Sequence, residues 1–149
     1  MTAPYELSAK LDKATWEVIR HLLAVRSSGR CEVRTEECLQ IARGYLTLPR
    51  HLASVHHRLP RGMGGTSDPE INRMSNLVLC CGTGTTGCHG YITRNPEWAL
   101  DRGWSVRRGT DPAEVPITLP SGRKVRLADC APAYLAPPVE EGHGWIGAA

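Results

Sequence analysis

Four cysteines carry the strongest chemical signal in this 149-residue chain. Cys31 and Cys38 enclose six residues, Cys81 and Cys88 enclose six more, and 42 residues separate the two pairs. Two thiolate hooks brought together are the usual way to build a tetrahedral zinc site, because zinc binds thiolate sulfur tightly and imposes little geometry of its own. Hooks of two to four residues are commoner, but Gly82, Gly84 and Gly87 give the second hook freedom to fold back. The spacing therefore predicts one structural Zn2+ on Cys31, Cys38, Cys81 and Cys88. The alternative is a set of reduced cysteines that merely pack. Cys80 competes with Cys81, since neighbours in an extended segment point to opposite faces and only one can meet the metal. Spacing favours Cys81, which leaves Cys80 as a small core residue and Cys130 unassigned.

Between and beside these hooks stand His56, His57, Asn76 and His89. Each alone is an ordinary residue; the order of tandem His, Asn and a His directly after Cys88 is not. The stretches Ser54-Val-His-His-Arg-Leu-Pro-Arg-Gly-Met-Gly-Gly65, Ser75-Asn-Leu-Val-Leu79 and Cys81-Gly-Thr-Gly-Thr-Thr-Gly-Cys-His-Gly90 resemble the HNH endonuclease family. The likeness is in particular to the small HNH proteins of phages and prophages, and it covers about residues 29–107. It implies an α+β fold with a ββα-metal (His-Me finger) core, stapled by the four-Cys zinc site. It also implies metal-dependent hydrolysis of DNA phosphodiester bonds by nicking or double-strand cleavage. In that scheme His56 and His89 hold one catalytic divalent cation, His57 is the general base that activates water, and Asn76 positions the loop or the base. Many relatives carry Asp where His56 stands, so the cation could be Mg2+, Mn2+, Ni2+ or Zn2+. DNA is the implied partner, with a phage terminase or another packaging protein beside it in phage or prophage DNA processing.

The chemistry calls for these residue types on independent grounds. A neutral imidazole, with an unperturbed pKa of about 6.5, is a suitable base near neutral pH. A divalent cation stabilises charge developing on phosphate and leaving oxygens. An Asn amide both donates and accepts, so it can tie down a loop or fix a tautomer. Cys88 and His89 are consecutive at an expected helix start, where side chains diverge by about 100°. They should serve two different ions. Arg58 and Arg61 flank the tandem histidines and are candidate DNA phosphate contacts. The competing function is a zinc-ribbon module that binds nucleic acid without catalysis.

The elements that must hold these residues are short. Residues 12–27 read as an amphipathic helix capped by Asp12, with Trp16, Ile19, Leu22, Leu23 and Arg26 on one face. Leu52–His57 and Asn76–Cys80 read as strands, the second entering the Gly-rich hook. A helix begins near Cys88, breaks at Pro96 and stops at Gly103. Trp104–Val106, Val115–Leu119 and Arg123–Leu127 read as further strands. The division expected is a helical extension (1–28), a nuclease domain (29–107), a short β extension (108–130) and a disordered tail (131–149). Trp98 and Trp104 are expected in the core, while His21, His51 and His143 have no motif around them.

Composition sets the outer limits. Eighteen Lys and Arg against fifteen Asp and Glu give +3, too mild to demand a nucleic-acid partner by itself. The imbalance is local, however: no acid occurs between Cys38 and Ser67, a window holding Arg43, Arg50, Arg58 and Arg61. No apolar run approaches the roughly 18 residues a membrane span needs. Charges at Glu6, Lys10, Asp12 and Lys13 argue against a signal peptide, so the expected location is the cytoplasm, in a bacterial host cell by the same resemblance.

Overall fold

The computed structural model describes residues 3–62 and 65–137. It is a small α+β protein whose elements run α1 (Lys13–Ser27), α2 (Leu39–Ala42), β1 (Ala53–His57), β2 (Leu77–Cys81), α3 (Gly87–Arg94), α4 (Pro96–Asp101), β3 (Ile117–Thr118), β4 (Lys124–Leu127) and β5 (Tyr134–Leu135). No helix among the described residues is long and apolar enough to cross a membrane.

The centre is a two-stranded antiparallel ribbon. β1 pairs with β2 in a register that sets Ser54 opposite Cys80 and His56 opposite Val78. Strand alternation then divides the side chains between two layers. Ala53 and Val55 pack with Leu77 and Leu79 against Ile19 and Leu23 of α1. Val78 and Cys80 turn the other way, into a second core with Ile92, Ala99, Trp104 and Ile117. Asp12 caps α1 by accepting from Thr15 N at 2.7 Å, and Ser28 ends the helix in the left-handed region. The face predicted from the sequence is the buried one: Ile19, Leu23 and Arg26 are its inward residues.

Arg26 needs a partner because a buried guanidinium cannot be left without one. Glu32 supplies it with two charge-assisted bonds of 2.8 Å, both side chains being wholly buried. Glu32 also accepts from Leu79 N and from the Tyr134 hydroxyl, and Arg26 donates to the carbonyls of Met74 and Leu77. One ion pair thus joins α1, β2 and the C-terminal strand.

Two expectations need correction. Trp104–Val106 is not a strand; it follows α4 as irregular chain held by Val106 N donating to Arg58 O. Residues 131–149, expected to be a disordered tail, include β5, which pairs with β4 through Arg126↔Leu135 and Leu127↔Tyr134. Residues 138–149 lie outside the described residues. The 108–130 segment carries β3 and β4 and is tied to the chain before β2, since Arg73 bridges to both Asp111 and Asp129.

The network around Glu32 is open to direct measurement. Glu32→Ala should cost about 3–5 kcal/mol, the usual effect of stranding one member of a buried pair. Glu17→Ala, which breaks the exposed pair with Arg50, should cost no more than about 1 kcal/mol. Urea unfolding of both variants checks the contrast.

Candidate functional site

The sulfur atoms of Cys31, Cys38, Cys81 and Cys88 come together although their hooks are far apart in sequence. All four lie within 4.8 Å of one another, all four residues are buried, and none is in a disulfide. Cys81 and Cys38 sulfurs are 3.9 Å apart. A zinc ion with Zn–S bonds of about 2.3 Å has sulfurs roughly 3.8 Å apart along each tetrahedral edge. The cluster could therefore hold a metal ion such as zinc. The main chain around it is arranged for negative sulfur. Leu39 N and Cys88 N donate to Cys81 Sγ at 3.2 and 3.3 Å, and Thr35 N donates to Cys88 Sγ at 3.2 Å. Hydrogen bonds from the Cys31, Cys38 and Cys88 side chains push the Cys81 thiol well below its ordinary pKa, while bonds to Cys38, Cys81 and Cys88 push Cys31 up. Without a cation these thiols share protons; with one, all four can ionise.

The hook between Cys81 and Cys88 requires glycine at both ends. Gly82 has φ +89°, and a Cβ there would stand 2.1 Å from Thr86 O. Gly87 has φ +60°, with its Cβ position 2.8 Å from Cys81 O. Cys80 stays outside the cluster as a wholly buried core residue facing Ser54, as the alternation of β2 requires. Burial pushes its thiol up.

The histidines occupy a different place. His56, His57 and His89 line one groove of about 470 Å³, together with Arg61, Pro60 and Thr93 among others. The His56 and His89 rings stand edge to face with centres 5.2 Å apart. Two imidazoles sharing one cation at about 2.1 Å have ring centres roughly 5 Å apart. Each ring is fixed at one nitrogen and left with the other. His56 Nε2 donates to Trp104 O at 2.7 Å, leaving Nδ1; His89 Nδ1 meets Ser54 Oγ at 2.8 Å, leaving Nε2. A partner on the second nitrogen is the usual support of a metal-binding histidine. Burial holds the His56 pKa down at about 4, so the ring is neutral near pH 7. Among the described residues, only the cysteine cluster brings three or more His, Cys, Asp or Glu side chains near enough to share an ion.

Asn76 is buried. Its Oδ1 accepts from Leu59 N at 2.6 Å and its Nδ2 donates to Leu59 O and Ile71 O, so it ties the chain leaving β1 to the turn before β2. It does not bond either histidine of the tandem pair. The residue that does is Asn72, whose Oδ1 lies 2.7 Å from His57 Nε2. Asn72 carries no sequence signal. Nothing in its spacing from His57 marks it, because the contact depends on how the intervening loop folds. Trp16 also meets His57, edge to face at 6.2 Å.

Arg58 is corrected outright. It is wholly buried, and its guanidinium donates to the carbonyls of Gly103, Ser75, Pro112 and Val115 at 2.6–2.9 Å. A side chain so occupied cannot reach a phosphate. Burial, reinforced by the Arg26 charge, lowers its pKa to about 10, which still leaves it charged at pH 7. Arg61 remains exposed at the groove, and Arg108, also exposed, lies beside it: a Cβ on Gly62 would stand 2.9 Å from Arg108 Nη2.

Comparison of the chain with family models, with curated proteins and with solved structures finds no match. The functional reading rests on the geometry above and on the sequence resemblance.

Two measurements follow from the site. Serine at Cys31, Cys38, Cys81 or Cys88 should lower bound zinc, measured by elemental analysis, and the melting temperature; Cys80→Ser and Cys130→Ser should keep the zinc. Arg58→Met should destabilise the fold by about 3 kcal/mol or more, because buried carbonyls lose their donors. Arg61→Ala should change stability by no more than about 0.5 kcal/mol. Chemical denaturation of the two arginine variants decides between a structural and a surface role for Arg58.

Proposed function

We propose that the protein is a metal-dependent DNA endonuclease of the HNH type, with β1, β2 and α3 as its ββα-metal core and a structural zinc on the four cysteines. The observation that carries the reading is the convergence of His56, His57 and His89 on one groove, apart from the cysteine cluster. A zinc-stapled binding module has no need of three histidines so placed.

His56 Nδ1 and His89 Nε2 are the nitrogens that would hold one divalent cation. The cation would supply electrostatic stabilisation to the scissile phosphate and the departing 3′ oxygen. A pair of neutral imidazoles suits Mn2+, Ni2+ or Zn2+ at least as well as Mg2+. His57 accepts a proton from the attacking water at Nδ1, the nitrogen that Asn72 leaves free. The water oxygen then bonds to phosphorus as the bond to the 3′ oxygen breaks, and that oxygen takes a proton from solvent. Arg61 and Arg108 offer charge to the phosphate backbone at the groove. Asn76 keeps the end of β1 and the start of β2 in place. DNA processing in a phage or prophage, with a terminase or similar packaging partner, is the setting that the resemblance favours.

Supercoiled plasmid incubated with Mg2+, Mn2+, Ni2+ or Zn2+ should become nicked or linear, and EDTA should stop the reaction. His57→Ala should keep zinc and fold but lose about 10²–10⁴-fold in rate. Burial lowers the His57 pKa, with the Asn72 bond opposing it. Only the neutral ring accepts a proton, so the rate should rise with pH below about 6.5 and level off from 7 to 8. A protein that retains plasmid in a gel shift yet cuts with none of these cations is the non-catalytic binding module instead.

A further inference from the structure

The His57–Asn72 contact continues inward to the N-terminal segment. Asn72 is wholly buried. Its Nδ2 donates to Ser8 O at 2.8 Å, with Ala9 O at 3.4 Å, and its own carbonyl accepts from the Tyr5 hydroxyl at 2.6 Å. These bonds settle which way the amide points. With both carbonyls on the Nδ2 side, Oδ1 must face His57, and an acceptor there requires a proton on His57 Nε2. Turning the amide over would set Nδ2 against the imidazole and bring Oδ1 against the Ser8 and Ala9 carbonyls.

We infer that Asn72 is a positioning residue, held by residues 5–9, that fixes His57 in the Nε2–H tautomer and leaves Nδ1 as the basic nitrogen. The segment before α1 is then part of the site although it does not line the groove. The inference rests on the proposed nuclease reading for its effect on rate, while the tautomer itself is a property of the folded protein.

Two orthogonal readouts separate them. In wild-type protein, long-range 15N–1H correlation of the His57 ring above pH 7 should report the Nε2–H tautomer. An Nδ1–H ring, or rapid exchange between the two forms, overturns the inference whether or not the protein cuts DNA. Asn72→Ala should mix the tautomers and lower kcat by about 10- to 100-fold with KM little changed, as when the partner that orients a reactive histidine is removed. Asn72→Asp keeps an acceptor toward His57 but turns its second oxygen on the Ser8 and Ala9 carbonyls, so it should hold the Nε2–H form while recovering only part of kcat. Tyr5→Phe removes one bond behind Asn72 and should give a smaller shift in the same direction. If Asn72→Ala does not fold, the wild-type spectrum and Tyr5→Phe still decide. A wild-type protein with the Nε2–H ring and no cleavage under any cation leaves Asn72 as assigned and removes the nuclease reading.

Discussion

A buried cation with no carboxylate bonded to it organises the centre of the molecule. Arg58 follows His57 directly, and its guanidinium binds four carbonyls from three separate stretches of chain. Its main chain is tied as well, N to Asn76 O and O to Val106 N. Several carbonyl dipoles share the work that a single carboxylate does for Arg26, so the charge is held without a second ion. The end of β1 is thereby fixed to the turn before β2 and to the chain after α4. His56 and His57 can be placed accurately only because the next residue is immobile.

The two sites differ in how they are held. The cysteine cluster is buried, with main-chain N–H groups aimed at its sulfurs. The histidine groove is open, and each ring has one nitrogen secured and one left over. Helix geometry separates them: Cys88 and His89 diverge at the start of α3, so adjacent residues supply different centres, while on β2 Cys81 joins the cluster and Cys80 turns into the core.

What the sequence made legible was whatever depends on residue type and spacing. The cysteine hooks, the amphipathic face of α1, the two ribbon strands and the glycine hinges of the second hook are of this kind. Arg58 was misread because its partners are carbonyls, which every residue possesses and no pattern advertises. Asn72 was missed since its meeting with His57 is made by an irregular loop, and β5 because two paired residues in an Ala- and Pro-rich stretch have no periodicity. The sequence resemblance pointed to Asn76, but what it grips, the Leu59 and Ile71 main chain, is visible only in the fold.

The 42 residues between the cysteine hooks include both ribbon strands up to Cys80. Closing the cysteine cluster thus encloses most of the ribbon in a loop, with an entropic cost that grows only slowly with its length. Once the ion is bound by both hooks, β1 and β2 search for their register within a tethered ring instead of a free chain. Metal capture at these hooks would then be a kinetic event as well as a source of stability. A chain that meets zinc late would spend longer with Val55, Val78 and Leu79 exposed along unpaired strand edges, the period when self-association competes with folding.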